Sequence, residues 1–375
     1  MLYFDSAAAA RPPRAVLDFY FSALEEEFAN QEAAHALGYA SRRRLADAER
    51  ELADALTGSE AWHVVWGNSG TSIFRFLADS PRVRNRTVLA STLEHPALTA
   101  NVKRTAAAVH ALRPDRSTGR LELPTPELRD FRPDTVMLHH VQSELGVIQP
   151  FDELAESLRS RFGGKLFTVA DAIQSAAKLE LPGTADALVV SGHKFGSPGG
   201  AALLIRAGSP FAREMLDFAR RCRSGEYLCA RPEPALMRTL AFAARFRAER
   251  RTGDLRRVTE LNAELRRRLC GLPLPGGGTL RATIAPEDAS PYILHCLLPG
   301  IDTGVLVRML SERGVMAAAG SACAAESKRP SPALAALGIG ARLGHSGLRI
   351  GLSQENSADE IKILAATLID VLKNY

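Results

Sequence analysis

The sequence predicts an α/β fold: a large domain built on a mostly parallel seven-stranded sheet, followed by a smaller α+β domain. Three observations carry this. Between about residues 60 and 206, seven short apolar, often β-branched runs alternate with stretches of helical periodicity, the rhythm of a sheet with helices on both faces. After Gly208-Ser209-Pro210 the pattern turns helical, and from residue 270 onward short strand-like pieces mix with helices. The chain, at 375 residues, is also longer than one ordinary domain.

The seven runs are residues 63–66, 87–90, 108–112, 135–138, 166–169, 187–190 and 201–205, and 151–161 is one of the helical segments between them. Residues 234–268 read as one long Ala/Leu/Arg-rich helical region joining the domains. Beyond it, 280–284, 292–298 and 347–352 read as strands, and 303–313 and 358–373 as helices. The Pro/Gly cluster at 273–278 is a turn. This places 15–245 in the large domain, and 1–14 with 246–375 in the small one.

Composition narrows the function. Net charge is +5, with the basic residues spread along helices. Their densest cluster, Arg42-Arg43-Arg44, reads as a solvated helix face, with an acidic protein partner as the other reading. No zinc-finger pattern or aromatic-interleaved basic patch argues for nucleic acid. The N-terminus MLYFDSAAAARPP has no basic n-region or long apolar stretch, so a signal peptide is not expected, nor is a membrane span. Cys222, Cys229, Cys270, Cys296 and Cys323 are odd in number, irregular in spacing and without a CxxC pair. That favours reduced thiols in a cytoplasm over disulfides or structural zinc.

Six segments carry chemistry. Ser191-Gly192-His193-Lys194 follows a strand, so Lys194 lies where open α/β sheets bind ligands. A glycine-rich turn follows it, which lets backbone approach a ligand closely. Such a lysine is either a surface residue or, if its amine is held near neutral, a Schiff-base former. Asp171-Ala172-Ile173-Gln174 closes the strand before it. Asp171 is either a helix cap or the partner of a protonated pyridine nitrogen, which keeps a pyridoxal ring an electron sink. Together, Asp171 and Lys194 on successive strands match what pyridoxal phosphate (PLP) demands. Gly67-Asn68-Ser69-Gly70-Thr71-Ser72 opens a helix after a strand, either as plain turn chemistry or as an anion site built on backbone N–H groups. His95, in Thr92-Leu93-Glu94-His95, is structural or stacks on a cofactor ring. Cys323, in Gly320-Ser321-Ala322-Cys323, is a small buried residue or an accessible thiol. Arg349, in His345-Ser346-Gly347-Leu348-Arg349, makes a surface ion pair or forks onto a substrate carboxylate.

These segments, in this order, resemble the cysteine desulfurases of the class V aminotransferase-like PLP enzymes. The likeness runs from Tyr3-Phe4-Asp5 to the C-terminal helix and includes Asn30 to Gly38. It implies the PLP-dependent transferase type I fold and a role for each residue. Lys194 would form the Schiff base and shuttle protons. Asp171 would hold the pyridinium, and Gln174 would touch the phenolic oxygen. His95 would stack on the ring and serve as acid or base. Gly70, Thr71, Ser191 and His193 would hold the phosphate. Arg349 would bind the carboxylate of L-cysteine. Cys323 would take the sulfur as a persulfide, leaving alanine. The long interval from Cys323 to Arg349 resembles the long-loop group, which passes sulfur to acceptor proteins in iron–sulfur cluster assembly or thiolation. The family also implies a homodimer.

The sequence departs from the family at several points. Ser143, in Gln142-Ser143-Glu144-Leu145-Gly146, replaces an Asn that contacts the phenolic oxygen. Glu226 stands where a Thr usually reaches the partner subunit's phosphate. Ser353-Gln354 replace the usual Gly-Arg. These changes suggest two alternatives: a PLP-dependent lyase acting on selenocysteine or cysteine sulfinate, or a weakened PLP-fold protein kept for binding or regulation.

Overall fold

The computed structural model describes residues 1–59, 61–123, 131–163, 165–222, 233–320, 331–340 and 343–375. Strand β1 (Leu2–Tyr3) and helices α1 (Arg14–Glu26) and α2 (Ala36–Thr57) come first. The alternating part follows: β2 (Trp62–Gly67), α3 (Gly70–Asp79), β3 (Thr87–Ser91), α4 (Pro96–Thr105), β4 (Ala108–Leu112), β5 (Thr135–His139), α5 (Phe151–Phe162), β6 (Phe167–Asp171), β7 (Ala187–Ser191) and β8 (Ala201–Arg206). Then come α6 (Ala212–Cys222), α7 (Pro234–Ala248) and α8 (Arg251–Leu269). The last part holds β9 (Arg281–Ala282), β10 (Ile293–Leu297), α9 (Thr303–Glu312), β11 (Val315–Met316), β12 (Ala318–Ala319), α10 (Pro332–Ala336), β13 (Gly347–Gly351) and α11 (Ala358–Lys373).

All seven expected runs become strands of one sheet, in the order β2-β8-β7-β6-β5-β3-β4. Only β8 runs against its neighbours β2 and β7. Two reversals restore direction, so β2 ends on the same edge as β3, β5, β6 and β7. The order turns back between β3 and β5, and that crevice is where open α/β sheets take their ligands.

Side chains alternate faces along each strand. Leu188 and Val190 of β7, with Ala202 and Leu204 of β8, enter one buried cluster beneath α2, α5 and α7. Ala187, Val189, Leu203 and Ile205 enter another beneath α3, α4 and α6. Both faces are therefore covered, which is why these strands read as continuous apolar runs. Each fully buried Leu or Val stabilises the fold by about 1.5–3 kcal/mol.

A second sheet, β12-β13-β10-β9, is antiparallel and packs with α8, α9 and α11 around a separate cluster. Here the structure corrects one expectation. The stretch 234–268 is two helices, not one, broken at Glu249 and Arg250. Their apolar faces serve different cores: Met237, Leu240 and Ala244 pack under the large sheet, whereas Val258, Leu261 and Leu265 pack in the second cluster. One straight helix would not aim both faces correctly. The Arg42–Arg44 cluster lies on the surface of α2, with Arg44 paired to Glu27.

Candidate active site

The carboxyl-end edge of the large sheet opens into a cavity of about 310 Å³, within the usual size of small-molecule sites. Gly70, Thr71, His95, Asp171, Gln174, Ser191, His193, Lys194 and Arg349 all line it. Nine of the ten residues singled out from the sequence thus meet in one place. The tenth, Cys323, lies outside the described residues, as does Glu226.

Strand geometry explains the convergence. Asp171 is the last residue of β6, and its Oδ1 accepts the Ile173 N–H at 3.0 Å. No helix follows Asp171, because residues 173–178 form turns; the expected helix cap is instead a turn closed by one carboxylate oxygen, which leaves the other for a ligand. Burial is the main force on this carboxyl and pushes its pKa up to about 7, Glu94 adding to the effect. Lys194 follows β7 in a single 3-10 turn, Gly192–Lys194, and its Nζ donates to Ala8 O at 2.6 Å. Gln174 Nε2 donates to Ala7 O at 2.8 Å, while its Oε1 is buried with no partner among the described residues. The N-terminal segment thus forms a wall of the site.

Helix α3 begins at the cavity with a reciprocal cap between Ser69 and Ser72. A Cβ on Gly70 would lie 2.6 Å from Ile173 Cδ1, so glycine lets this helix start approach the strand ends. Ser191 Oγ and His193 Nδ1 are 2.9 Å apart. Burial, reinforced by the Lys194 and Lys178 cations, pushes the His193 imidazole down to about 4, so it is neutral at pH 7.

His95 is the N-cap of α4, and its Nδ1 accepts the Ala97 N–H at 3.1 Å. Burial lowers its pKa from the ordinary histidine value, and the Lys194 cation acts in the same direction. Nδ1 is therefore an acceptor, and the neutral ring carries its proton on Nε2. Arg349 lies on β13 of the second sheet. Its Nη1 donates to Ser143 O at 3.0 Å and its Nη2 to Asp5 Oδ1 at 2.7 Å. The alternative of a surface pair fails, because the Arg349 side chain is only 3% exposed.

Sequence reasoning missed three features. Asp5 was read only as part of the likeness, yet it is the ionic partner of Arg349. Glu94 and His139 form a buried pair, of which His139 lines the cavity. Glu94 Oε1 accepts from Ser91 Oγ at 2.6 Å and lies 2.9 Å from His139 Nδ1, and Oε2 accepts the His139 N–H at 3.0 Å. Glu94 precedes His95 at a strand end, which was the available signal. Lys178, in Ser175-Ala176-Ala177-Lys178, has no pattern that marks it as buried, yet it is.

The Aminotransferase class-V family model matches residues 2–364. Among curated proteins, the cysteine desulfurase IscS of Anaeromyxobacter dehalogenans (strain 2CP-C) is 27% identical, over 96% of this chain and 89% of its own length. A cysteine desulfurase of Cereibacter sphaeroides is 29% identical, over 98% and 94%. Among solved structures, a NifS-like protein matches with a TM-score of 0.82 at 20% identity, covering 100% of both chains. A NifS-like protein from Rickettsia africae ESF-5 matches with the same TM-score at 17% identity, covering 100% of this chain and 99% of its own. These structural matches bear out the α/β type I architecture expected from the sequence.

Proposed function

The chain belongs to the class V aminotransferase family, and on that premise we propose that it is a PLP-dependent cysteine desulfurase, converting L-cysteine to L-alanine and leaving the sulfur as a persulfide on Cys323. The family is PLP-dependent in general. The residues here fit that cofactor on an observation of their own: Asp171 is a buried carboxyl whose pKa burial pushes up to about 7, and a pyridinium beside it would favour its charged form. The unpartnered Gln174 Oε1 and the cramped helix start at Gly70 fit a flat ring and a phosphate in the same way. This convergence of Asp171, Gln174 and Lys194 on one cavity carries the reading, and the cysteine desulfurase relatives give it a substrate.

On this reading Lys194 would hold PLP covalently, Asp171 its ring nitrogen, Gln174 its phenolic oxygen, and Gly70, Thr71, Ser191 and His193 its phosphate. PLP, when bound, supplies an electron sink that stabilises carbanion character on the substrate. The protein's own groups do the rest. Arg349 binds the substrate carboxylate, and Asp5 holds the guanidinium in place. His95, neutral and fixed through Nδ1, would stack on the cofactor ring and presents an Nε2 proton. The Lys194 amine takes a proton from the substrate and returns it. The Cys323 thiolate attacks the substrate sulfur.

We read the protein as a cytoplasmic homodimer, with residues 15–245 and the remainder as its two domains, and with a sulfur-acceptor protein as its partner in iron–sulfur cluster assembly or thiolation. Among the described residues no helix is long and apolar enough to cross a membrane.

The test has two parts. Borohydride treatment of the yellow holoprotein should fix pyridoxyl on Lys194, found by peptide mass spectrometry. Cysteine-dependent alanine formation should then be abolished in Cys323→Ala while the visible spectrum persists. A colourless protein that PLP cannot reconstitute, or equal turnover with and without Cys323, would overturn the respective half.

A further inference from the structure

Lys194 borders two cavities. The first is the active-site cavity, to which the N-terminal segment gives Ala7 and Ala8. The second is much smaller, about 20 Å³, and takes Ser6 and Ala10 from that segment. That is room for about one water molecule. Lys178, Arg247, Asp254, Tyr292 and Glu355 are on its walls.

Lys178 is the unexplained member of this group. It is 8% exposed, and its ammonium lies over the Tyr292 ring, 5.5 Å from the centroid. The two carboxylates of the cavity are engaged elsewhere: Glu355 Oε1 is 2.9 Å from Arg247 Nη1, and Asp254 Oδ2 is 4.0 Å from the same nitrogen. The preceding Ala177 has a φ of 59°, a left-handed conformation that non-glycine residues adopt only when the surroundings enforce it. A strained backbone therefore turns an amine inward, where no carboxylate of the described residues forms an ion pair with it.

We propose that Lys178 is a positioning and proton-supplying partner of Lys194, exchanging protons with its amine across the small cavity. The inference rests on the proposed desulfurase reading for its stoichiometry. Turning cysteine into alanine breaks the C–S bond and forms a new C–H bond where sulfur was, while the Cα–H bond is broken and remade. Two protons are delivered to carbon and one is withdrawn. The Lys194 amine, serving both carbons, must be recharged once per turnover. The Lys178 ammonium gives that proton through one water and regains one from solution. The substrate S–H proton leaves to solvent when the persulfide is held as its anion, so the account closes with no oxidant or reductant. Burial pushes the Lys178 amine down to about 7, and the Lys194 and Arg247 cations act the same way. Near neutral pH it is thus present both as donor and as acceptor.

The experiment uses the full-length holoprotein with L-alanine in D2O, reading deuterium at Cα by mass spectrometry. This reaction needs Lys194 but no desulfuration. Lys178→Met is expected to slow exchange roughly 10- to 100-fold, as for a lost acid–base group. Its visible spectrum and borohydride labelling at Lys194 should remain those of the wild type. Methylamine should restore exchange to Lys178→Ala in proportion to its concentration. Wild-type exchange in Lys178→Met, or a loss in Lys178→Ala that methylamine leaves untouched while the spectrum is normal, would overturn the proposal. A readout independent of the cofactor is competitive acetic anhydride labelling of the apoprotein. Lys178 should label with a midpoint near 7, and a midpoint near the ordinary lysine value of about 10.4 overturns the proposal as well. If alanine exchanges in this Lys178-dependent way but cysteine yields no alanine, the desulfurase reading fails and the proton relay stands.

Discussion

Arg349 on β13 and Asp5 beside β1 form an ion pair, Nη2 to Oδ1 at 2.7 Å, that joins the two ends of the chain at the wall of the cavity. Ser143 O takes Nη1, whereas Nε is buried with no partner among the described residues. A buried donor without a partner is costly unless a ligand satisfies it. The guanidinium is thus held as a preorganised fork. Arg349→Lys keeps the charge but loses the fork. The expected result is a KM for cysteine raised about 10- to 100-fold, the worth of one charged hydrogen bond, with PLP content unchanged. Steady-state kinetics beside cofactor absorbance would check this.

Asp171 makes apoprotein stability depend on pH. Its folded pKa, about 7, lies above the ordinary 3.8. Between these values the native state holds a proton that the unfolded state has lost, so stability falls as pH rises through this window and levels off above about 7. Asp171→Asn removes the dependence. Apo wild type and apo Asp171→Asn should unfold alike near pH 4, with the variant more stable by up to about 4 kcal/mol at pH 8. The variant should also bind PLP more weakly, because the pyridinium loses its anion. Urea unfolding at the two pH values, with a PLP titration, measures both effects.

The sheet was legible from the sequence because both its faces are buried, so each strand is a short apolar run bounded by turn residues. The Lys194–Asp171 pairing was legible for the same reason, since both residues directly follow such runs. What stayed hidden depends on residues far apart in sequence. Nothing near Asp5 says that it meets Arg349, and nothing near Lys178 says that a strained Ala177 buries it. The break after α7 was missed because the Ala/Leu/Arg pattern continues across it. Only the two separate cores distinguish the halves.

Two glycines should respond differently to a methyl group. At Gly70 the new Cβ meets Ile173 Cδ1 at 2.6 Å, the mobile end of a side chain. Gly70→Ala should cost no more than about 1 kcal/mol, since alanine favours the helix, but should weaken PLP binding by shifting Ile173 beside Asp171. At Gly192 the Cβ would lie 2.6 Å from Gly199 O and 2.6 Å from Ser197 Cβ. Backbone cannot retreat as a rotamer can, so Gly192→Ala should cost about 1–3 kcal/mol. Denaturant unfolding of both apoproteins should show this order, and a larger loss at Gly70 would contradict it.

The last prediction concerns the buried pair Glu94 and His139. The carboxylate receives Ser91 Oγ and His139 Nδ1 on one oxygen and the His139 N–H on the other. On the far side of the ring, His139 Nε2 lies 3.2 Å from Gln149 Nε2, which also donates to Gly119 O. The arrangement is consistent with one tautomer: Nδ1 carries the proton toward Glu94, and Nε2 accepts from Gln149. Glu94→Gln places an NH2 where an acceptor stood, so in either amide orientation a donor faces a donor: the His139 backbone N–H in one, the Nδ1 proton in the other. The expected cost is about 1–3 kcal/mol, that of a buried polar group left without its partner. Because the Glu94 charge also raises the folded pKa of Asp171, the same variant should lower the pH at which the fall in apoprotein stability levels off, while its onset, set by the unfolded carboxyl, stays in place. His139→Ala removes the other half of the network. If the two residues act as one unit, the double variant should cost less than the sum of the single ones by at least about 0.5 kcal/mol. Strict additivity in urea unfolding would mean that the two act independently.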